Sequence, residues 1–159
     1  MRVGIGYDIH RLVEGRKLIL GGIEIPHIKG LDGYSDGDIL LHAVCDAILG
    51  ALGQGDIGRH FPSSQAAYKD ISSIKLLKRV LDIMTQKKFQ IENIDTIVIA
   101  EQPRLLPFRE RIEIEISRIL ELDKYQVNVK FKTNESMDSI GRKESIAGYA
   151  VVCLKEQPE

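Results

Sequence analysis

The chain has 159 residues, 22 Lys+Arg against 23 Asp+Glu, 43% hydrophobic residues and no tryptophan. At this length one domain buries roughly 68–70% of its unfolded surface and needs no staples, so a single domain over residues 1–159 is expected. A formal net charge of −1 argues against a basic face for nucleic acid or anionic lipid, and no apolar run approaches the ~20 residues of a membrane span.

Residues 2 to 8 read as a strand with Val3, Ile5 and Tyr7 on one face and Gly4 and Gly6 on the other, where backbone can approach closely. Asp8 and His10 fall at its expected end. Leu18 to Leu20 and Ile23 to Ile25 flank Gly21-Gly22 as a hairpin closed by Pro26. Ser35, Asp36 and Asp38 precede a helical pattern from Ile39 to Leu52 and are placed to cap it, with Gly53 as its stop.

After an irregular stretch from Gly53 to Lys69, Ile71, Ile74, Leu77, Leu81 and Met84 mark a second amphipathic helix. Ile94 to Ala100 is a β-branched run of the buried-strand kind, ended by Glu101-Gln102-Pro103. Between Arg109 and Leu122, Ile112, Ile114 and Ile116 alternate like a strand, while Phe108, Ile112, Ile116 and Ile119 fit a helix. Pro107 suits a first helical turn, and helix is preferred. Val127, Val129 and Phe131 alternate with polar residues, and Ile146 to Leu154 supplies a last strand. This order predicts an α+β sandwich with helices on one face of a sheet. Two cysteines, Cys45 and Cys153, are too few for a disulfide framework, fit buried thiols and point to a reducing compartment.

Asp8-Ile9-His10 places a carboxylate and an imidazole on one side of a strand, where they converge. With His42 as a third ligand the set suits zinc and leaves the fourth tetrahedral position open; without it, Asp8 caps its own loop. Asp38 and Asp46, four residues either side of His42, share its helix face and could accept the proton of its non-ligating nitrogen. Cys45 is a possible soft ligand or a core thiol. Gly53 to Gly58 spells G-x-G-x-x-G, but it follows a helix rather than a strand, and so reads as a helix stop and tight loop rather than a dinucleotide site. Thr133-Asn134-Glu135 could hold a phosphate-bound magnesium ion through one carboxylate, or form an ordinary polar turn. Lys130, Lys132, Arg104 and Arg142 could serve phosphates or simply be solvated. His27 and His60 carry no comparable partners and read as structural.

Taken together, Gly-Tyr-Asp-Ile-His at 6–10, Ser-Asp-Gly-Asp at 35–38, Gly-Asp-Ile-Gly at 55–58, Thr-Asn-Glu at 133–135 and Ile-Gly-Arg at 140–142 closely resemble the 2-C-methyl-D-erythritol 2,4-cyclodiphosphate (MECDP) synthase family. The resemblance runs nearly end to end. It implies a homotrimer of ferredoxin-like subunits with active sites between neighbours, zinc on Asp8, His10 and His42, and magnesium or manganese at Glu135. The implied reaction belongs to the non-mevalonate (MEP) isoprenoid pathway and closes a cyclic diphosphate with release of CMP. The implied location is the bacterial cytoplasm, or the plastid stroma once a transit peptide is removed.

By the same resemblance, Asp56, Ile57 and Gly58 hold the erythritol part, with Ile9, Ser35 and the segment Phe61, Pro62, Ser63, Ser64 and Gln65 nearby. Ala100, Glu101, Gln102, Pro103, Arg104, Leu105 and Leu106 cradle cytosine, with Lys132 and Asn134 beside them. Thr133 stabilises the transferred phosphoryl group, and Tyr34 donates from a position where the family often has histidine. Ser63, Lys132 and Ser139 also depart from the residues common in the family. Arg142 and Glu144 would lie at the mouth of a central apolar cavity able to take an isoprenoid diphosphate. Two other readings of the same residues are a zinc-dependent phosphoesterase and a trimeric isoprenoid-diphosphate-binding protein.

Overall fold

The computed structural model describes residues 1–157; the last two residues of the expected 1–159 domain lie outside the described residues. Its elements are β1 (Arg2–Glu14), β2 (Leu18–Leu20), β3 (Ile23–Ile25), β4 (Lys29–Leu31), α1 (Ile39–Ala51), α2 (Ile57–His60), α3 (Ser73–Gln86), β5 (Phe89–Ile99), α4 (Arg109–Leu120), β6 (Val127–Lys132), α5 (Asp138–Gly141) and β7 (Ser145–Glu156). Five strands form one sheet in the order β4-β1-β7-β5-β6, and β2 pairs with β3 as a separate hairpin. Only β5 and β6 run parallel, joined by the crossover through α4; the other pairs in the sheet are antiparallel. Helices α1, α3 and α4 cover one face.

The alternation read in β1 decides how close α1 comes. A Cβ built on Gly6 would stand 1.9 Å from the Ala43 carbonyl oxygen, and one on Gly4 would stand 1.9 Å from that of Ala47. Only glycine lets the helix backbone lie on the strand there. The alternate residues Val3, Ile5 and Tyr7 face the other way and are 68%, 69% and 46% exposed. Ile5 pairs with Val151 and Tyr7 with Tyr149, both also exposed, so an apolar strip crosses the uncovered face.

Two strands are longer than their sequence pattern suggests. β1 continues six residues beyond Asp8, because β7 pairs with it as far as Arg11, β4 pairs with Leu12 to Glu14, and the chain turns only at Gly15, whose φ is +77°. Asp8 and His10 therefore sit within the strand, opposite Gly148 and Ile146, rather than at its end. β5 starts at Phe89 instead of Ile94, since Phe89, Gln90 and Ile91 pair with β7 before a register shift at Ile91/Asn93. The shift and the polar Glu92-Asn93 break the apolar run that marks the strand. The ambiguous segment is helix, as preferred: Ile112 and Ile116 are fully buried while Ile114 is half exposed.

Candidate metal centre and adjoining cleft

Asp8 and His10 leave β1 on the face toward α1, and His42 meets them from the first turn of that helix. Asp38 fixes where α1 begins. Its carboxylate accepts the Leu40 and Leu41 N–H groups at 3.1 Å each, and also those of Gly21 at 3.0 Å and Gly22 at 2.7 Å from the β2–β3 turn. Burial pushes its carboxyl up to about 6, with the Gly22, Leu41 and Gly21 amides pulling against burial and the charge of Asp36 adding to it.

Asp8 Oδ2 lies 3.0 Å from His10 Nε2 and 2.8 Å from His42 Nδ1. One donor atom from each of the three residues falls within 4.8 Å of the others, the span of a shared divalent cation. Burial opposes ionisation of Asp8, but hydrogen bonds from His10 and His42 and their charge outweigh it and hold the carboxyl well below the usual range. The Asp8 hydrogen bond raises the pKa of His10 against the pull of burial. Cys45 is fully buried in the core, where burial raises its thiol pKa, and so it behaves as an apolar residue rather than a ligand.

The far nitrogen of His42 is not held by a carboxylate as expected. Asp38 is committed to four backbone amides, and Asp46 accepts the Ile57 N–H at 2.7 Å. Two hydroxyls take their place: Ser35 Oγ at 3.0 Å and Ser73 Oγ at 2.9 Å from His42 Nε2. Ser73 is a site residue that the sequence reading missed. The available signal was the doubled serine at the start of α3, where Ser72 alone caps the helix through the Ile74 N–H and Ser73 is left over, buried and polar.

Beside these ligands lies a cleft of about 220 Å³, lined by Asp8, His10, Tyr34, Ser35, His42, Ile57, Gly58, Phe61 and Ser63, with Tyr68, Ile71 and Leu76 behind them. Asp56 caps the short α2 by accepting the Arg59 N–H, and the Tyr34 hydroxyl donates to the Gln65 carbonyl at 3.2 Å. Pro62 and Ser64 are not part of this lining. The Ile9 side chain faces the open side of the sheet, leaving its N–H to donate to Asp8 Oδ1. Gly53 and Gly55 both have positive φ, as a helix stop and tight loop require. His60, expected to be structural, donates to the Gln54 carbonyl.

The remaining expected site residues stand apart. The loops after β5 and β6 are joined by the Ala100 N–H on the Lys132 carbonyl, and Glu101 accepts the Asn134 and Ser136 amides at 3.0 Å each. Thr133 donates to Glu135 Oε1 at 2.7 Å. Leu105 is buried, while Arg104 and Leu106 are exposed. Asp8 and Val98 both pair with Gly148, so these loops leave the same end of the sheet as the metal ligands, the β5 loop two strand spacings or about 10 Å across and the β6 loop three or about 14 Å. None of residues 100–106 or 132–135 lines the metal-side cleft. Lys130 is paired with Asp95 and Arg142 with Glu144, and Ser139 shares a hydrogen bond with Ser145.

A mixed sheet covered by helices on one face, with an Asp-His-His donor set that could hold a divalent cation beside a small cleft, defines an α+β protein with a candidate metal centre. The family model described as the YgbB family matches residues 1–155. The chain belongs to this family, whose relatives here are MECDP synthases, cyclising lyases of isoprenoid biosynthesis. One such synthase, from Syntrophomonas wolfei, is 50% identical over 98% of this chain and 99% of its own length. Among solved structures, the bifunctional IspDF from Campylobacter jejuni superposes with TM-score 0.94 at 41% identity; this chain covers 42% of that longer protein. The CDP complex of IspF from Plasmodium falciparum superposes with TM-score 0.87 at 37% identity over 99% of this chain and 97% of that one. No helix among the described residues is long and apolar enough to cross a membrane.

Proposed function

We propose that this chain converts 4-diphosphocytidyl-2-C-methyl-D-erythritol 2-phosphate to 2-C-methyl-D-erythritol 2,4-cyclodiphosphate, at a site that two copies complete together. An oxygen of the 2-phosphate attacks the β-phosphorus, the bond from that phosphorus to the bridging oxygen breaks, and CMP leaves with the electron pair. The nucleophile is already anionic, so no general base is required; positioning and charge neutralisation carry the catalysis.

The observation that carries this reading is the convergence of Asp8, His10 and His42 at the rim of the cleft. Two imidazoles and one carboxylate are a zinc donor set with one position left open. Zinc bound there would act as a Lewis acid on the β-phosphate. Glu135, an exposed carboxylate with free coordination sites, fits magnesium or manganese, which bind through one or two carboxylates plus phosphate oxygens. Asp56, Ile57 and Gly58 would hold the erythritol hydroxyls, with Tyr34 and Ser35 over the phosphates and the segment 61–65 closing the cleft.

Residues 100–106, with Lys132 to Glu135, would hold cytidine diphosphate, the ligand in the Plasmodium falciparum complex. Thr133 would sit by the transferred phosphoryl group. That these residues do not line the metal-side cleft supports a site in which a neighbouring copy brings them to it. The apolar strip of Val3, Ile5, Tyr7, Tyr149 and Val151 supports association through the open sheet face, as a homotrimer. A cavity on that axis would suit an isoprenoid diphosphate, with Arg142 and Glu144 near its mouth.

Incubating the protein with the cytidylated substrate and analysing the products by phosphorus NMR tests the proposal. A cyclic diphosphate and CMP are expected, with turnover lost after dipicolinate treatment and restored by zinc. A linear phosphate product would instead identify a zinc phosphoesterase.

A further inference from the structure

We propose that Asp36, acting through the Ser73 hydroxyl, is a positioning residue that fixes the ring tautomer of His42, turning the Nδ1 lone pair toward Asp8, and so sets the strength of the metal site. The proposal rests on the metal reading above and extends it by one layer of side chains.

Ser73 Oγ contacts both an Asp36 carboxylate oxygen and His42 Nε2. A carboxylate offers no hydrogen, so the single hydroxyl hydrogen of Ser73 goes to Asp36. Toward His42, Ser73 can then only accept, and Nε2 must carry the ring hydrogen. In a neutral imidazole this leaves the lone pair on Nδ1, the nitrogen that points at Asp8 Oδ2 from 2.8 Å. In the metal-free molecule that contact is a hydrogen bond only when Nδ1 carries a second proton; otherwise two lone pairs face each other and repel until a cation, proton or metal, lies between them. The chain Asp36–Ser73–His42 therefore builds a demand for positive charge at the point where Asp8 and His10 converge. It is the carboxylate–histidine–metal arrangement with a hydroxyl inserted.

The Asp36 carboxylate is itself held. Its Oδ2 accepts the Ser73 N–H at 2.9 Å and its Oδ1 the Asp38 N–H at 3.2 Å, while the Asp36 N–H donates to the Ile71 carbonyl. Ser73 is fully buried, so bulk water does not compete for its hydroxyl. Ser35 Oγ also meets His42 Nε2 and accepts the Gly37 N–H at 3.3 Å, but no carboxylate is in contact with it. It is a second acceptor for the ring hydrogen without the power to orient it.

The test is zinc affinity by chelator competition on purified protein, together with nitrogen NMR of the zinc-loaded His42 ring. Asp36→Asn keeps size and shape but removes the charge. It is expected to weaken zinc binding about 10–100-fold, the range for groups that hold a metal ligand from behind. Ser73→Ala should fall in the same range, whereas Ser35→Ala should cost less than either. The zinc-loaded wild type should show hydrogen on Nε2 of His42.

If Asp36 only fastens the loop to α3, Asp36→Asn lowers the melting temperature while zinc affinity of the folded protein stays within twofold, and the proposal is overturned. Should that variant fail to fold, Ser73→Ala carries the same test. A wild-type protein that binds no zinc would overturn both this inference and the metal reading, while tight wild-type binding with unchanged variants would overturn this inference alone.

Discussion

His10 and Asp8 respond to pH in opposite directions. The Asp8 carboxyl is depressed, so its share of folding stability is present above about pH 4 and is lost as pH falls below that. The pKa of His10 is raised, so its share is complete below about pH 6.5 and is lost as pH rises through the higher folded value. In metal-free protein this pair therefore stabilises most between those limits, which thermal melts across pH will show. Metal must displace the His10 proton, so zinc affinity is expected to rise with pH until His10 is neutral and then level off. Calorimetry in buffers of different ionisation enthalpy should detect close to one proton released per zinc well below the His10 pKa, falling to none where His10 is neutral. His42→Ala should abolish tight zinc binding while costing about 1 kcal/mol of stability, in the ordinary range for a single substitution. The convergence of Asp8 and His10 was legible because alternation is a short-range rule, whereas His42 was only a candidate third donor and the full set rested on the family resemblance. Ser73 was not legible, because its contact with His42 spans 31 residues and depends on how α3 docks against α1.

Among the elements, the packing of α1 on β1 controls the geometry of the centre. Gly6→Ala would force a methyl group into the Ala43 carbonyl, so the helix must lift and take His42 with it. The expected cost is about 1–3 kcal/mol of stability from overpacking, measured by urea unfolding, together with weakened zinc binding. The close approach at Gly4 and Gly6 was visible in the sequence, although its partner was not. The length of β1 was hidden, since the Asp-Ile-His string looks like a strand end when its β7 partners are unknown. A different element effect concerns the 55–58 turn, which packs Ile57 on the core and hydrogen-bonds to α1 through the Ile57 N–H and Asp46. Asp46→Ala leaves that donor unpaired, a penalty of about 1–3 kcal/mol. It should raise KM severalfold while zinc affinity, measured separately, remains near wild type.

On the scale of the whole molecule, the separation of the metal-side cleft from the loops at 100–106 and 132–135 makes a shared site testable by mixing. His42→Ala and Glu135→Ala proteins should each be inactive alone. Dissociated and reassembled together in equal amounts, they should recover about a quarter of wild-type turnover, the fraction of randomly formed interfaces that join two intact halves. No recovery from demonstrably mixed oligomers would place each site within one chain. The near-zero net charge fits the proposed division of labour, in which bound cations rather than a basic surface would meet the phosphates.

The alternation of β1 has one more consequence. Gly4, Gly6, Asp8 and His10 face the helices, while Val3, Ile5, Tyr7 and Ile9 face outward. A slip of one residue in its pairing would turn every side chain over. Valine, isoleucine and tyrosine would then meet the backbone of α1 where only hydrogen fits, and the wrong register could not close. The same small residues that admit the helix thus proofread the strand, and a chain that folds at all has its metal ligands on the correct side.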